Sequence, residues 1–408
     1  MDSLMTLRVA GRSLWRNRLR TALTMLGIVI GTWSVVALVS IGKSATSTIE
    51  TQISSMGHNL VIVFPGAAST GGISIGMGST VTLTPEDAQA IAREIPTVAV
   101  ASPVIRTRAQ VVYESQNWAP LSIFGTGAGF NDVRDWPLAE GEFFSDGDVL
   151  SVSRVCVLGM TVARNLFQGD PAVGQSVRMK NMSFRVVGVL SAKGTSAMGT
   201  DQDDLVVLPW TTTKSVLQGS AFRNIDFLLV SADSTPAIPD TMEEITFLLR
   251  ERHHLRDDEA SDFQIIAMTE VAASAGRITR VLTTLLSSIA SISLLVGGIG
   301  IMNIMLVSVF ERTREIGLRR AVGARRRDIL VQFLVEAVVL TTASGVIGIL
   351  LGVGSALLVS GKFRLEPFIS PGVVALSFLL SCSIGVLFGL YPAVRAANLE
   401  PIEALRYE

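Results

Sequence analysis

The chain has 408 residues, 49% of them hydrophobic, and its 34 basic and 35 acidic residues leave a net charge of −1. Because this charge is close to zero, the sequence has no bulk electrostatic attraction to nucleic acid, and we expect no nucleic-acid partner. The two cysteines, Cys156 and Cys382, are predicted to lie in different layers of the protein and to be buried rather than paired.

The first 42 residues predict a membrane anchor. Residues 1–20 carry Arg8, Arg12 and Arg16 at a spacing of four, which predicts an amphipathic helix along the cytoplasmic surface of the membrane. The uncharged residues 21–42 are long enough to span a bilayer, and no cleavage site of a signal peptide follows them. The excess of arginine before this span predicts a cytoplasmic N-terminus.

Residues 43–279 contain no apolar run of spanning length and are predicted to form a domain outside the cytoplasm. Two strand–helix–strand patterns flank a β-rich insertion at about residues 115–219, so we expect one lobe built from both ends of the segment. The predicted strands are 59–64, 98–105, 109–113, 121–124, 155–158, 176–179, 184–190, 205–208, 225–230 and 263–267, and the predicted helices begin near 85, 160 and 239.

Two further apolar runs, residues 280–310 and 329–361, flank an arginine-dense block at residues 311–328. Each run can span a bilayer, and the seven arginines of the block predict that it lies in the cytoplasm. A fourth span is predicted at residues 367–394, followed by a basic cytoplasmic tail at residues 395–408. The predicted fold is therefore four transmembrane α-helices plus a large extracytoplasmic α+β domain.

The predicted spans contain pairs of glycines four residues apart, a spacing that lets two helices approach each other closely. Both packing within one bundle and packing between two copies of the chain are consistent with this pattern. The glycines are Gly27, Gly31, Gly348, Gly352, Gly385 and Gly389.

The arginine-dense block is predicted to form a short coupling helix that contacts a soluble partner in the cytoplasm. Its charged residues are expected to fix the orientation, Ile316, Leu318 and Val322 to supply apolar anchors, and its two glycines to permit close approach or a turn. The candidate contact residues are Glu311, Arg312, Arg314, Glu315, Ile316, Gly317, Leu318, Arg319, Arg320, Val322 and Gly323.

Three other features of the sequence resemble ligand or ion sites. Residues 42–44 (Gly-Lys-Ser) match the end of a phosphate-binding loop, but Ala37 replaces its first glycine and the segment leaves a membrane helix, so nucleotide binding is not predicted. His253 and His254 are expected to end a solvated helix rather than to bind metal. Glu336 is expected to lie near the cytoplasmic interface and to reach lipid headgroups or a neighbouring helix. It is not expected to form an ion site. No catalytic, cofactor or metal residue is predicted.

Five stretches resemble the MacB-type permeases, which belong to the FtsX-like group of ABC transporters. Residues 303–337 (NIMLVSVFERTREIGLRRAVGARRRDILVQFLVEA) carry the most specific part of the likeness. The others are residues 12–31, 157–178, 184–190 and 389–408. The resemblance implies an outer domain with a porter-like lobe and an inserted β-rich lobe.

The resemblance also implies a function. ATP-driven motion of an ATPase would be transmitted through the membrane helices to the outer domain, which acts on substrate there. We expect a homodimer in the bacterial inner membrane with both termini cytoplasmic, and a periplasmic adaptor and an outer-membrane channel as further partners. Because the chain begins at its membrane segment and has no phosphate-binding loop, the ATPase is expected to be a separate polypeptide, so that this chain binds no ATP and is not an enzyme.

Two alternative functions remain open from the sequence. An FtsX-like regulator would use the same motion to activate a cell-wall hydrolase, although the large outer domain favours export. A self-sufficient carrier is disfavoured because four spans rich in Val, Leu, Ile and Gly offer no continuous polar pathway.

Overall fold

The computed structural model of the chain describes residues 18–55, 57, 59–70, 73–77, 82–196, 199–220, 222–363, 367–401 and 404. The chain divides into two units, one formed by Met1–Thr48 with Gly276–Glu408 and the other by Ile49–Ala275. Residues 1–17 of the predicted N-terminal helix lie outside the described residues, as do residues 402–403 and 405–408 of the predicted tail.

The helices and strands are named here in chain order. The α-helices are α1 (Arg18–Ser55), α2 (Pro85–Glu94), α3 (Phe130–Val133), α4 (Asp146–Leu150), α5 (Met160–Phe167), α6 (Trp210–Thr212), α7 (Ile238–Arg252), α8 (Met268–Glu311), α9 (Thr313–Ala321), α10 (Arg326–Phe363) and α11 (Pro371–Ala397). The strands are β1 (Leu60–Pro65), β2 (Ala67–Thr70), β3 (Ile73–Met77), β4 (Val98–Thr107), β5 (Val111–Tyr113), β6 (Gln116–Trp118), β7 (Ser122–Thr126), β8 (Leu138–Gly141), β9 (Val155–Leu158), β10 (Ser176–Met179), β11 (Met182–Leu190), β12 (Leu205–Pro209), β13 (Phe227–Ala232) and β14 (Phe263–Ala267).

Among the described residues, four helices are long and apolar enough to cross a membrane: α1 over Met25–Thr51, α8, α10 and α11. The helices α1 and α8 have 38 and 44 residues. At 1.5 Å per residue they are about 57 and 66 Å long, whereas the hydrocarbon core of a bilayer is about 30 Å thick. Both helices are therefore much longer than a membrane span requires.

In the membrane unit α1, α8, α9, α10 and α11 all contribute to a buried apolar cluster. Ile28 of α1, Met305 of α8, Phe333 of α10 and Ala393 of α11 belong to it. Because side chains from all the long helices meet in this cluster, the short α9 is packed onto the same core as the four spans.

In the outer unit one mixed sheet follows the order β14-β1-β13-β4-β7-β12-β9-β11-β10-β5-β6, with β8 on β11. Its first four strands belong to the units β1-α2-β4 and β13-α7-β14. Each of these four strands is antiparallel to the one beside it. This is the βαββαβ arrangement of ferredoxin-like lobes. The strands inserted between β4 and β13 continue the same sheet and include the parallel pairs β7–β12 and β9–β11. The predicted fold class, four membrane helices with a lobed α+β outer domain, is confirmed.

The sheet of the ferredoxin-like lobe has two buried faces, because apolar side chains along its strands point alternately to one face and to the other. Val61 and Val63 of β1 pack with α2 and α7, whereas Leu60 and Ile62 pack on the opposite face with Trp136. A third cluster, which includes Phe184, fills the inserted lobe. Successive side chains of a strand point to opposite sides, which is why both faces of β1 are apolar.

We expect Ile49–Ala275 to fold on its own, because every fully buried residue of these three clusters lies inside that range. Expressed alone, it should be soluble and monodisperse and should unfold in one cooperative transition, measured by circular dichroism against temperature. A matched fragment ending at Arg252 should lose that transition, because it lacks β14, which pairs with β1. Aggregation of the longer fragment, or equal melting of the two, would contradict this boundary.

Candidate functional site

The predicted coupling helix corresponds to α9, which begins directly after α8. Glu311 is the last residue of α8, and α9 ends at Ala321. The hydroxyl of Thr313 donates to the carbonyls of Val309 and Phe310 at 3.0 and 2.9 Å. This buried threonine therefore fixes the bend between the long membrane helix and the short one.

One face of α9 packs into the membrane unit. Ile316 is 2% exposed and belongs to the cluster that contains Phe333 and Ala393. A Cβ atom on Gly317 would lie 2.6 Å from the Cβ of Ala404, so only glycine permits this approach of the C-terminal segment. The structure therefore places Ile316 and Gly317 inside the chain's own core, where they hold α9 rather than face a partner.

Arg320 joins α9 to the end of α11. Its Nη1 donates to the carbonyls of Ala397 and Leu399 at 2.8 and 2.9 Å. The last carbonyls of a helix have no partner within the helix, and a cation near them is favourable. Arg320 thus satisfies the end of α11 and fixes the position of α9 against it.

Two more arginines, Arg319 within α9 and Arg312 directly before it, contact α10. Arg319 donates to the side-chain oxygen of Gln332 at 3.0 Å and pairs with Glu315 one turn earlier at 2.5 Å. Arg312 forms an ion pair at 3.5 Å with Glu336, which is 5% exposed. The acid within the third span therefore reaches a neighbouring element, one of the two positions expected for it.

The other edge of α9 is exposed and apolar. Leu318 and Val322 are 57% and 83% exposed and lie four residues apart, on one side of the helix, with the exposed Arg314 one turn before them. Gly323, at φ +109°, ends the helix in a conformation that L side chains rarely adopt. We call this edge, Arg314, Leu318 and Val322, the free edge of α9.

A groove of about 410 Å³ runs beside the free edge, where α9 turns into α10. Its lining is mostly apolar and is formed by Leu318, Arg319, Val322, Ala324, Asp328, Ile329 and Gln332. The sequence pattern singles out the exposed residues of α9 and Glu336, but it gives no signal for Gln332, Ala397 or Ala404, because contacts between distant segments leave no local pattern.

The six glycines predicted to pack helices lie at contacts within this one chain. A Cβ on Gly27 would be 3.0 Å from the Cα of Gly297, and one on Gly352 would be 2.7 Å from the Cβ of Val36. The remaining contacts are Gly31 with Leu294, Gly348 with Thr32, Gly385 with Thr341 and Gly389 with Ala337. The pairs thus join α1 to α8, α10 to α1 and α11 to α10. The pattern missed Gly297, Gly298 and Gly345, which make similar approaches outside four-residue pairs.

The Gly-Lys-Ser segment has no loop in which to hold a phosphate. Residues 42–44 are helical, and the buried hydroxyl of Ser44 accepts a hydrogen bond from the backbone N–H of Phe368 at 2.9 Å. Of the cysteines, Cys156 is buried as expected, and burial raises the pKa of its thiol. Cys382 was expected to be buried but is only half-buried, and its Sγ lies 3.4 Å from the hydroxyl of Thr342.

The expectation of a solvated helix end at His253 is wrong. Its Nδ1 lies 2.9 Å from the carboxylate of Asp262, and its Nε2 lies 3.5 Å from that of Asp87, which also accepts a hydrogen bond from Arg252 at 2.8 Å. The α7 helix ends beside α2 and β14, so the imidazole is enclosed by them. In the part of the chain that the structure describes, no group of three or more His, Cys, Asp or Glu residues is arranged to hold a metal.

This cluster shifts the proton affinities of its members. Burial by itself raises the pKa of Asp87, but hydrogen bonds from His253, Arg252 and Thr84 outweigh burial and hold the pKa well below its usual range. The hydrogen bond to Asp87 raises the pKa of His253, burial opposes this rise, and Asp262 adds to it. The charged pair is therefore favoured in the folded outer unit.

Two family matches cover most of the chain. The MacB-like periplasmic core domain matches residues 21–248, and the FtsX-like permease C-terminal domain matches residues 287–401. The chain belongs to the MacB-like permease family. Like the fold, these matches describe a multi-pass membrane protein of the ABC-transporter permeases with a large domain outside the membrane.

Relatives of this MacB-like permease share its whole length but are longer. The macrolide export ATP-binding/permease proteins MacB of Syntrophobacter fumaroxidans and Rhodospirillum rubrum are 42% and 43% identical over 99% and 98% of this chain. The chain spans 64% and 60% of their lengths. The crystal structure of the periplasmic region of MacB from Actinobacillus actinomycetemcomitans is similar at 20% identity, with a TM-score of 0.44 over 55% of this chain and 96% of that one.

The cluster at His253 generates a pH dependence. A histidine with a raised folded-state pKa contributes stability that is fully present below its unfolded value, about 6.5, and is lost as the pH rises through the raised value. We therefore expect Ile49–Ala275 to resist urea better at about pH 5.5 than at about pH 8, a range in which Asp87 stays ionised. His253→Gln should remove most of the difference, and His254→Gln should leave it. An unchanged pH dependence in His253→Gln would show that other groups cause it.

Proposed function

We propose that this chain is the permease subunit of an ABC-type export system that transmits force. A separate ATPase would bind the free edge of α9, and its ATP-driven motion would move the membrane helices and the domain outside. The relatives' names support a macrolide as one exported substrate. On this proposal the chain itself neither binds nor hydrolyses ATP.

The proposed orientation follows from charge. The seven arginines of residues 311–328 support a cytoplasmic position for α9, and therefore cytoplasmic termini in the bacterial inner membrane. The outer unit is then periplasmic. A homodimer, a periplasmic adaptor and an outer-membrane channel complete the proposed assembly.

The observation that carries the proposal is the way α9 is fastened. Ile316 is buried in the membrane core, Gly317 contacts Ala404, and Arg320 binds the end of α11. Arg319 and Arg312 add contacts to α10. An element held by α10, α11 and the C-terminal segment cannot be displaced alone, so a force on its free edge is passed to the bundle.

The free edge has the chemistry of a docking surface. Leu318 and Val322 present apolar side chains beside an apolar groove, and Arg314 and Glu315 stand exposed next to them. An apolar centre within a charged rim is the usual composition of a protein interface. We assign the contact to Leu318 and Val322, with Arg314, Glu315 and Glu311 at the rim, and a supporting role to Ile316, Gly317 and Arg320.

The two connections between the units also support transmission of force. The boundary at residues 48 and 49 falls inside α1, and the boundary at residues 275 and 276 falls inside α8. Helical connections are stiff, whereas a Gly/Ser coil would absorb a displacement. A tilt of either span would therefore reach the residues that begin and end the outer unit.

Leu318→Glu combined with Val322→Glu should uncouple the permease from its ATPase, because two carboxylates would enter an apolar contact while the buried contacts of Ile316 and Gly317 are unchanged. Loss of two central anchors weakens an interface by about 30-fold or more. Binding of the co-expressed ATPase should fall by at least that factor, and macrolide resistance should fall to background. Lys362→Glu, at the opposite end of α10, is the matched charge control and should keep both. Undiminished ATPase binding by the double variant would exclude the free edge as the docking site.

A flexible insertion in α8 tests transmission separately from docking. Gly-Gly-Ser-Gly-Gly-Ser placed between Gly276 and Arg277 should abolish export while ATPase binding and dimer formation remain, because a coil transmits no tilt. The control insert, Ala-Glu-Ala-Ala-Ala-Lys-Ala, adds about two helical turns. It keeps the connection helical and stiff, and it leaves the faces of the helix on either side of the insert in the same orientation. It should retain much of the activity. Equal export by both insertions would overturn force transmission through α8 without affecting the docking proposal.

A further inference from the structure

The outer unit contains a cavity of about 310 Å³ that the proposed transport cycle does not use. Strands of both lobes form it: β1, β4 and β13 of the ferredoxin-like lobe and β7 and β12 of the insertion. Its size is at the lower end of the range of small-molecule sites, about 300–1,000 Å³. Aromatic rings form much of its wall, namely Phe64, Phe124, Phe130, Trp136 and Phe227.

Arg134 brings a positive charge with an unused donor to this cavity. Its Nε is buried and has no hydrogen-bond partner among the described residues, although the residue lines the cavity. The guanidinium lies 5.7 Å from the ring of Trp136, and burial lowers its pKa to about 10, so it remains charged at neutral pH. A buried donor without an acceptor is costly, which makes an acceptor from a ligand favourable.

Arg106 contributes a second cation to the same cavity. Its guanidinium lies 4.9 Å from the ring of Phe227 and 5.9 Å from that of Phe124. Over the part of the chain that the structure describes, this guanidinium has no carboxylate or carbonyl partner. The guanidinium lies over the two rings, and its N–H groups can still donate hydrogen bonds to a ligand.

The acids of the cavity are already engaged. Asp204 accepts from the indole N–H of Trp118 at 2.7 Å and from the backbone N–H of Leu121 at 3.0 Å. Asp201 accepts from the hydroxyl of Thr161 at 2.6 Å and from the backbone N–H of Asp203 at 2.9 Å. Each of these carboxylate oxygens already has a donor, whereas the buried Nε of Arg134 has no acceptor among the described residues.

The rings do not form a cage for a cationic ligand. Arg106 faces Phe124 and Phe227, and Arg134 and Lys193 face Trp136, the latter with its Nζ 4.8 Å from the ring. Since a cation of the chain already faces these rings, a further cation would meet repulsion there. The cavity therefore combines an apolar wall with hydrogen-bond donors that carry positive charge.

We propose that this cavity binds an amphiphilic organic anion. A carboxylate or phosphate oxygen of the ligand accepts hydrogen bonds from Arg134 and Arg106, and the aromatic or aliphatic body of the ligand packs against the phenylalanine rings. This site lies wholly within the outer unit and requires neither an ATPase nor transport. It can therefore be tested independently of the proposed function.

Three probes that share one apolar body test the charge requirement: biphenyl-4-carboxylate, biphenyl-4-methanol and biphenyl-4-methylamine. Binding to the full chain in lipid nanodiscs is measured by equilibrium dialysis up to about 1 mM, with empty nanodiscs subtracted. We expect the carboxylate to bind at least about tenfold more tightly than the other two, since charged hydrogen bonds supply that preference. Equal or tighter binding of the alcohol or amine, or binding of none of the three, overturns the proposal.

Variants test the assigned residues. Arg134→Met should weaken carboxylate binding roughly tenfold and leave alcohol binding within about twofold, while Arg134→Lys should retain part of the preference. Arg106→Gln is a second, independent variant that leaves Arg134 in place. It should weaken binding of the carboxylate and leave binding of the alcohol unchanged. Arg93→Met, on the exposed side of α2, is the control and should change nothing. Equal weakening of carboxylate and alcohol by both Arg134→Met and Arg106→Gln overturns the assignment.

Inorganic phosphate distinguishes an amphiphile from a free oxyanion. If the apolar body contributes to binding, phosphate at about 1 mM should not displace biphenyl-4-carboxylate, whereas dodecanoate should do so. Displacement by phosphate as strong as that by dodecanoate would show that the rings play no part, which contradicts the proposed ligand class.

Discussion

Close contact between helix backbones is the constraint on which the membrane unit depends. Lipid tails are as apolar as leucine, so helices in a membrane gain little by burying leucine and associate through tight van der Waals packing. Glycines supply that packing at the contacts of α1 with α8 and α10, where a Cβ on Gly27 or Gly348 would lie within 3.0 Å of the facing helix. A larger residue there would separate the helices and loosen the core formed by Ile28 and Phe333.

The position of α9 follows from this packing. Ile316 can be buried only because α10 and α11 meet closely enough to form the cluster that receives it. Arg320 can satisfy the carbonyls of Ala397 and Leu399 only where α11 ends at the same level as α9. The exposed pair Leu318 and Val322 is therefore presented by a rigid support, as the proposed coupling requires.

Hydropathy and charge predicted what depends on local sequence. The four spans are long apolar runs, the turn at residues 311–328 is marked by arginines, and β9 and α5 were predicted at the residues where they occur. Local patterns could not predict that Ile316 faces inward, that His253 joins Asp87 to Asp262, or that Arg134 lines a cavity. Each of these contacts depends on residues that are far away in sequence. The nine-residue sequence of α9 contains several apolar residues, and its pattern does not show which of them faces the core and which is exposed.

The continuous sheet of the outer unit relates the cavity to the proposed motion. Ile62, Val104 and Phe227 line the cavity from the ferredoxin-like lobe, and Phe124 and Leu205 line it from the insertion. These two sets of strands meet at the antiparallel pair β4–β7. Because Arg106 lies at that junction over rings from both lobes, a change in twist between β4 and β7 would alter the distance from its guanidinium to Phe124 and to Phe227. A force that deforms the sheet would therefore change the affinity of the cavity for an anion, so the proposed motion and the proposed anion site would be coupled through the pair β4–β7.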